Sequence, residues 1–285
     1  MIKQAAKFLL RWDRLSAEDK YVRRYGLAAL AANIVALFPL PLPWLFRVFG
    51  SDKQQPGGHR YGPTYWMLFR PWKYRPVKLL EIGVGGYGGS LGGESLLAWQ
   101  AYFPFGRIFG ADIEDKTKLA GWRRTVLCLD QSSDVQLTEL ARRHGPFDLI
   151  VDDGSHLSAH QIFTFERLFD ALADGGIYVI EDVQTSFWAG TVGGMTWDGA
   201  PINDPRFQNT CYAWFLELSK YLNQAEFLDR TSLDEALSAR AETVRRISFE
   251  HNLIVVWKGD NRDKSNRVNW LWHGEQGPVP SKRRE

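Results

Sequence analysis

From residue 77 onward the chain repeats one pattern, a short aliphatic or β-branched run followed by a helical stretch. The runs are VKLLEI (77–82), RIFGAD (107–112), TVLCL (125–129), FDLIV (147–151) and IYVI (177–180). Helical stretches, 94–102 and 157–172 among them, fall between most of these runs. Strands apolar on both faces and separated by helices predict a parallel sheet covered on both sides. The end of the pattern differs. VRRISFEHNLIVVWKG (244–259) reads as two strands meeting at His251-Asn252, and so tight a connection permits only antiparallel pairing. The expected fold is α/β: an open, doubly wound, mostly parallel sheet with a C-terminal antiparallel hairpin.

Before residue 77 the pattern is helical and then broken. Ser16 followed by Asp19 resembles a capping box opening a helix that runs to about Phe38. Residues 25–46 carry no charge, but Pro39, Pro41 and Pro43 remove backbone donors and end the helix well short of a membrane span. This segment is expected to pack on the domain, to form a homo-oligomer interface, or to touch a membrane peripherally. The Gly- and Pro-rich stretch 50–63 reads as a loop. The expected division is a short helical, apolar segment at 1–49 and one catalytic domain at 50–285.

Composition narrows the function. The 285 residues are 45% hydrophobic, enough for a full core, and the formal net charge is +2. No concentrated basic stripe marks a nucleic-acid surface. Two cysteines, Cys128 and Cys211, form neither a disulfide framework nor a closely spaced metal pair. The start, MIKQAAKFLLRW, lacks the pattern of a signal peptide, so a cytoplasmic location, with membrane association left open, is expected.

The chemistry gathers at the strand ends. LLEIGVGGYGGSLGGESLLAW places a glycine loop after the first strand, with Gly83, Gly85, Gly86 and Ser90 available to a ligand. Glu81 beside the loop would repel a pyrophosphate and attract an amino or sulfonium group. This acid-x-Gly-x-Gly pattern resembles motif I of class I S-adenosylmethionine-dependent methyltransferases. Asp112, ending the second strand, is placed to accept from ribose hydroxyls, and Asp130 and Gln131, ending the third, to read an adenine edge. The fourth strand ends in Asp152-Asp153-Gly-Ser-His156 and the fifth in Glu181-Asp182. In a doubly wound sheet Asp153, Glu181 and Asp182 converge, and three carboxylates together call for a hard cation such as Mg²⁺. Asp152 is expected on the cofactor side. His156, three residues past Asp153, is the natural proton acceptor at neutral pH, and His160 is expected to be structural.

Taken in order, LEIGVGGY, GGESL, AYFPFGRIFGADIEDK, DQSSD, FDLIVDDGSH and GGIYVIEDVQTSFW resemble the Mg²⁺-dependent sugar O-methyltransferases of macrolide and polyketide tailoring, over roughly residues 50–190. That resemblance implies a Rossmann-like class I methyltransferase fold, S-adenosylmethionine and Mg²⁺ as cofactors, and a deoxysugar or rhamnosyl residue of a glycoside or glycolipid as acceptor. It implies metal ligation by Asp153, Glu181 and Asp182, with His156 as base, and it has Asp52, Lys53, His59 and Tyr61 closing over the cofactor. Trp188, Trp197, Trp214, Trp270 and Trp272 offer flat faces for a sugar. Three alternatives stay open at this level: cephalosporin hydroxylase-like chemistry on the same acidic pattern, methylation of a catechol or other small molecule, and a non-catalytic binding module.

Overall fold

A computed structural model describes residues 15–86, 91–229, 231 and 233–265. Strands β1 (Lys78–Ile82), β2 (Arg107–Asp112), β3 (Arg124–Cys128), β4 (Phe147–Asp152) and β5 (Leu172–Ile180) pair in parallel. A small hairpin of β6 (Ala189–Val192) and β7 (Met195–Asp198) stands apart from them, and β8 (Val244–Glu250) and β9 (Leu253–Lys258) complete the main sheet. The sheet order is β3-β2-β1-β4-β5-β9-β8, with β9 antiparallel to both β5 and β8. The expected parallel sheet with an antiparallel edge is what forms, and Asn252 takes φ +60° in the two-residue turn.

Eight helices are described: α1 (Ala17–Val35), α2 (Leu42–Phe49), α3 (Gly62–Phe69), α4 (Glu94–Tyr102), α5 (Asp134–His144), α6 (Ser158–Leu168), α7 (Cys211–Tyr221) and α8 (Glu235–Ala241). Ser16 caps α1 by accepting from the Asp19 N–H at 3.0 Å, and the prolines stop it after Val35 and restart the chain as α2. Helices α1 and α2 pack against the sheet. Tyr25, Ala29, Ala32, Leu42, Leu45 and Phe46 join the same core as Leu79, Val126, Leu149 and Val179 of the sheet. Among the described residues no helix is long and apolar enough to cross a membrane.

Strand alternation positions the site. Leu79, Val151 and Val179 face the layer made by α1–α4, whereas Leu80, Ile82, Ile150, Tyr178 and Ile180 face the layer of α5–α8. Glu81 pairs with Val151, which pairs with Val179. The period of two therefore puts Glu81, Asp153 and Glu181 on the α1–α4 face and leaves Asp152 on the other.

Candidate active site at the carboxyl ends of β1, β4 and β5

The three carboxylates on the α1–α4 face meet a lysine. Lys53, from the loop between α2 and α3, is 1% exposed. Its Nζ donates to Asp153 Oδ2 at 2.5 Å and Glu181 Oε1 at 2.7 Å, and lies 3.2 Å from Glu81 Oε1. Burial by itself lowers a lysine's pKa, but Asp153, Glu181 and Glu81 together hold Lys53 well above the ordinary value. Burial raises Glu81 to about 7 against the pull of Lys53. Burial, with repulsion from Asp153, raises Glu181 as well. Tyr65 of α3 donates to Glu181 Oε1 at 2.5 Å, and Ser95 and Trp99 of α4 donate to Glu81 Oε2 at 2.7 and 3.2 Å.

A second group opens beside this one. Ligand atoms of Asp153, His156 and Asp182 all lie within 4.8 Å of one another. His156 Nε2 is 3.6 Å from Asp182 Oδ2. Tyr61 donates to Asp182 Oδ1 at 2.5 Å, and its ring stacks on His59, whose Nδ1 lies 3.5 Å from the same oxygen. Burial alone would raise Asp182, but His156, the Tyr61 hydrogen bond and His59 hold it below the usual carboxylate range. His156 and Asp182 both adopt left-handed backbone, at φ +57° and +54°. Such strain in non-glycine residues is found where the surroundings fix a functional turn. Here Thr185 Oγ1 donates to the His156 carbonyl at 2.7 Å, and Asp198 of β7 accepts the Ser158 and Ala159 N–H groups at the start of α6. The His156 Nδ1 is buried and has no partner among the described residues.

These residues suit a hard divalent ion: two carboxylates and an imidazole within one ion's reach, an orphaned ring nitrogen, and side chains only 12–21% exposed. Of the expected ligand set, Asp153 and Asp182 converge, with His156 beside them. In this structure Lys53 and Tyr65 both donate to Glu181 Oε1, in the inner group. Lys53 is the inner group's counter-ion.

The expected cofactor positions divide in the same way. Gly83 and Gly85 have φ +81° and +74°. A Cβ on Gly83 would fall 1.9 Å from the Asp153 carbonyl, whereas one on Gly85 would meet nothing within 4 Å. The loop is thus pressed against β4 at Gly83 and open at Gly85, with Gly86 following at φ +102°. Ser90 lies outside the described residues. Asp112 accepts from the Val84 and Glu114 N–H groups at 2.8 and 3.0 Å, which leaves each oxygen able to accept a second bond. Lys116, one helical turn's spacing beyond it, lies 3.3 Å from Asp112 and also donates to the Gly85 carbonyl. Asp130 closes a local turn on Ser132.

Three of the expected cofactor residues are engaged within the chain. Glu81 is fully buried beside Lys53, Ser95 and Trp99. Asp152, also fully buried, accepts from Gln131 at 3.3 Å and Tyr178 at 3.4 Å on the opposite face. The Gln131 amide bonds to Asp152, Thr164 and the Ser155 N–H, bracing the 152–155 turn. Tyr65 and Lys116 were not anticipated. Tyr65 could have been found from its i,i+4 spacing with Tyr61, and Lys116 from the same spacing with Asp112. Of the tryptophans, Trp188 and Trp197 pair edge to face at 5.6 Å on the hairpin anchored to the His156 turn, while Trp214 packs on Phe165 in the core. Trp270 and Trp272 lie outside the described residues. A cleft lined by Arg167, Trp214, Leu237 and Arg240 runs among α6–α8 and contains none of these acids.

MycE methyltransferase from the mycinamycin biosynthetic pathway, in a structure with Mg, SAH and mycinamycin VI, superposes with a TM-score of 0.68 at 31% identity, over 79% of this chain and 56% of that one. The chain has the class I methyltransferase fold. Curated relatives of this methyltransferase-fold chain include the 8-demethyl-8-alpha-L-rhamnosyl tetracenomycin-C 2'-O-methyltransferase of Streptomyces olivaceus, 39% identical over 213 residues, or 74% of this chain and 53% of the relative. The mycinamicin VI 2''-O-methyltransferase of Micromonospora griseorubida is 44% identical over 218 residues, covering 75% of this chain and 51% of that one. The chain thus spans about half the length of the curated relatives it matches. No family model matches it.

Proposed function

We propose that the chain is a metal-assisted, S-adenosylmethionine-dependent O-methyltransferase acting on a sugar hydroxyl of a rhamnosyl or deoxysugar glycoside. The observation that carries this reading is the Asp153–His156–Asp182 cluster, with its unpartnered buried Nδ1, beside an open glycine loop. Relatives that methylate rhamnosyl sugars, and the MycE complex with Mg and SAH, support it. Asp153 and Asp182 would hold the ion, which supplies Lewis-acid polarisation of the acceptor hydroxyl. His156 takes the hydroxyl proton as the oxygen bonds to the methyl carbon and the sulfonium C–S bond breaks. The left-handed turns at 156 and 182 fix the base relative to the acids before substrate arrives. Trp188 and Trp197, on the anchored hairpin, offer the apolar face of the sugar a wall.

The test is methyl transfer from S-adenosylmethionine to a panel of rhamnosyl and deoxyhexosyl glycosides, followed by mass spectrometry. Product should form with Mg²⁺, vanish with EDTA and return when Mg²⁺ is restored. Full activity in EDTA overturns the metal reading, and His156→Ala at the full rate overturns the base.

A further inference from the structure

Helix α1 has two apolar faces, and one of them is already occupied. Tyr21 and Tyr25 donate to the Gly92 and Gly93 carbonyls at 2.9 and 2.8 Å, Gln100 of α4 donates to the Ala29 carbonyl at 3.0 Å, and Ala32 is fully buried. The other face is not covered by the described residues. Leu27, Leu30, Ile34 and Leu37, spaced by three, four and three residues, are 65%, 63%, 64% and 74% exposed. Phe38, Trp44 and Val48 carry the exposed apolar surface through the proline turn onto α2. Apolar surface this continuous is rare on a monomer and marks a contact site.

Charge decides what covers it. From Ala17 to Leu80 the chain carries ten Lys and Arg against three acids, Glu18, Asp19 and Asp52, although the whole chain has 35 against 33. Arg23, Arg24, Arg47, Arg60, Arg70 and Arg75 are exposed. An anionic lipid surface complements both features at once: acyl chains for the leucines and Phe38, the headgroup level for Trp44, phosphates for the arginines.

We propose that α1 and the proline turn lie in the interface of an anionic membrane, with Leu27, Leu30, Ile34, Leu37 and Phe38 inserted and Arg23, Arg24 and Arg47 on the headgroups. The helix lies on the bilayer and does not cross it. Because Tyr21 and Tyr25 tie the same helix to the glycine loop, the docked helix holds the candidate active site at a fixed height above the lipid. The inference stands on α1 and its charges, independently of which acceptor is methylated.

The test is co-sedimentation of the full chain with vesicles of phosphatidylcholine alone and of phosphatidylcholine mixed with phosphatidylglycerol. The chain should pellet with the mixed vesicles, and less so as salt rises. Leu30→Glu/Ile34→Glu should lower partitioning more than about tenfold, and so should Arg23→Glu/Arg24→Glu/Arg47→Glu. All these positions are exposed, and unchanged SAH binding by each variant verifies that the fold is intact. Three results overturn the proposal. One is a wild-type chain that stays in the supernatant with mixed vesicles. Another is binding unaffected by either set of substitutions. The third is binding by a chain lacking residues 1–14 but not by the full chain, which would show that those residues cover the face.

Discussion

Two acidic groups share Asp153 and differ in what neutralises them. The inner group, Glu81, Asp153 and Glu181, closes on Lys53 and is almost wholly buried. The outer group, Asp153, His156 and Asp182, shares Lys53 through Asp153, and at Asp182 it has two imidazoles, the Tyr61 hydroxyl and Gln184 beside it. Buried charge survives where it is paired and hydrogen-bonded. The inner group meets that condition from its own chain, so it is a frame, and the outer group is where an added cation has work to do. Asp153 joins them: Lys53 engages Oδ2 and fixes the carboxylate in place for the outer group.

Asp153→Asn should have the largest effect, because it strikes both groups. Methyl transfer should fall at least about a hundredfold, the scale expected when a charge that stabilises the transition state is removed, and Mg²⁺ binding by calorimetry should weaken with it. The neighbouring Asp152→Asn separates the two faces of the sheet. It should keep Mg²⁺ affinity, since among the described residues the Asp152 carboxylate bonds to Gln131, Tyr178 and the Gly154 N–H. Equal loss of metal binding in both variants would break the division.

Lys53→Met tests the frame. It leaves the inner carboxylates without their cation, and removing one partner of a buried ion pair costs about 3–5 kcal/mol, read from urea unfolding. Adding Glu181→Gln to Lys53→Met should restore part of that loss, with a coupling of at least about 0.5 kcal/mol. Simple additivity would show that the lysine and Glu181 do not act as a unit.

The outer group was more legible in the sequence than the inner one. An apolar run ending in acids marks a strand end in a doubly wound sheet, so Asp153, His156 and Asp182 could be placed together from pattern alone. Which of Asp152 and Asp153 faces which side depends on strand phase, and the alternation of a strand buried on both faces is silent about that. Lys53 sits in a polar, Gly- and Pro-rich loop that looks like surface. Its burial follows from Phe46, Tyr65 and Trp99, whose rings meet edge to face at 4.9–6.1 Å, a long-range packing that no local pattern encodes. The orientation of α1 was hidden in the same way, because from Tyr25 onward the helix carries no charge on either face and shows no polar stripe to read.

Glu81 offers a gentler test through pH. Burial raises its folded pKa to about 7, against an ordinary value of 4.5. Between those values the folded chain keeps a proton that the unfolded chain releases, so Glu81's contribution makes stability fall as pH rises through that window. Glu81→Gln should flatten this part of the profile while leaving the region above pH 7 unchanged in slope. A variant whose melting profile follows the wild type from pH 4.5 to 7 would show that Lys53 keeps Glu81 ionised.

The smallest effects should come from Tyr61, just before α3, and Tyr65, within its first turn, and they sharpen the comparison most. Tyr65 donates to Glu181 in the inner group, and Tyr61 to Asp182 in the outer. Each Tyr→Phe removes one hydrogen bond to a carboxylate without changing the ring. Tyr65→Phe should cost about 1–3 kcal/mol of stability, since it strips a charged group in a buried site, and leave Mg²⁺ affinity within about twofold. Tyr61→Phe should do the reverse. Its carboxylate keeps both imidazoles nearby, so stability barely moves, but Asp182 loses the bond that orients it, and losing such a support weakens metal binding by roughly 10–100-fold. Calorimetry with Mg²⁺ and urea unfolding on the same two proteins read both quantities. If the two variants prove interchangeable, the inner and outer groups are one network, and Lys53 is as much a part of the metal site as Asp182.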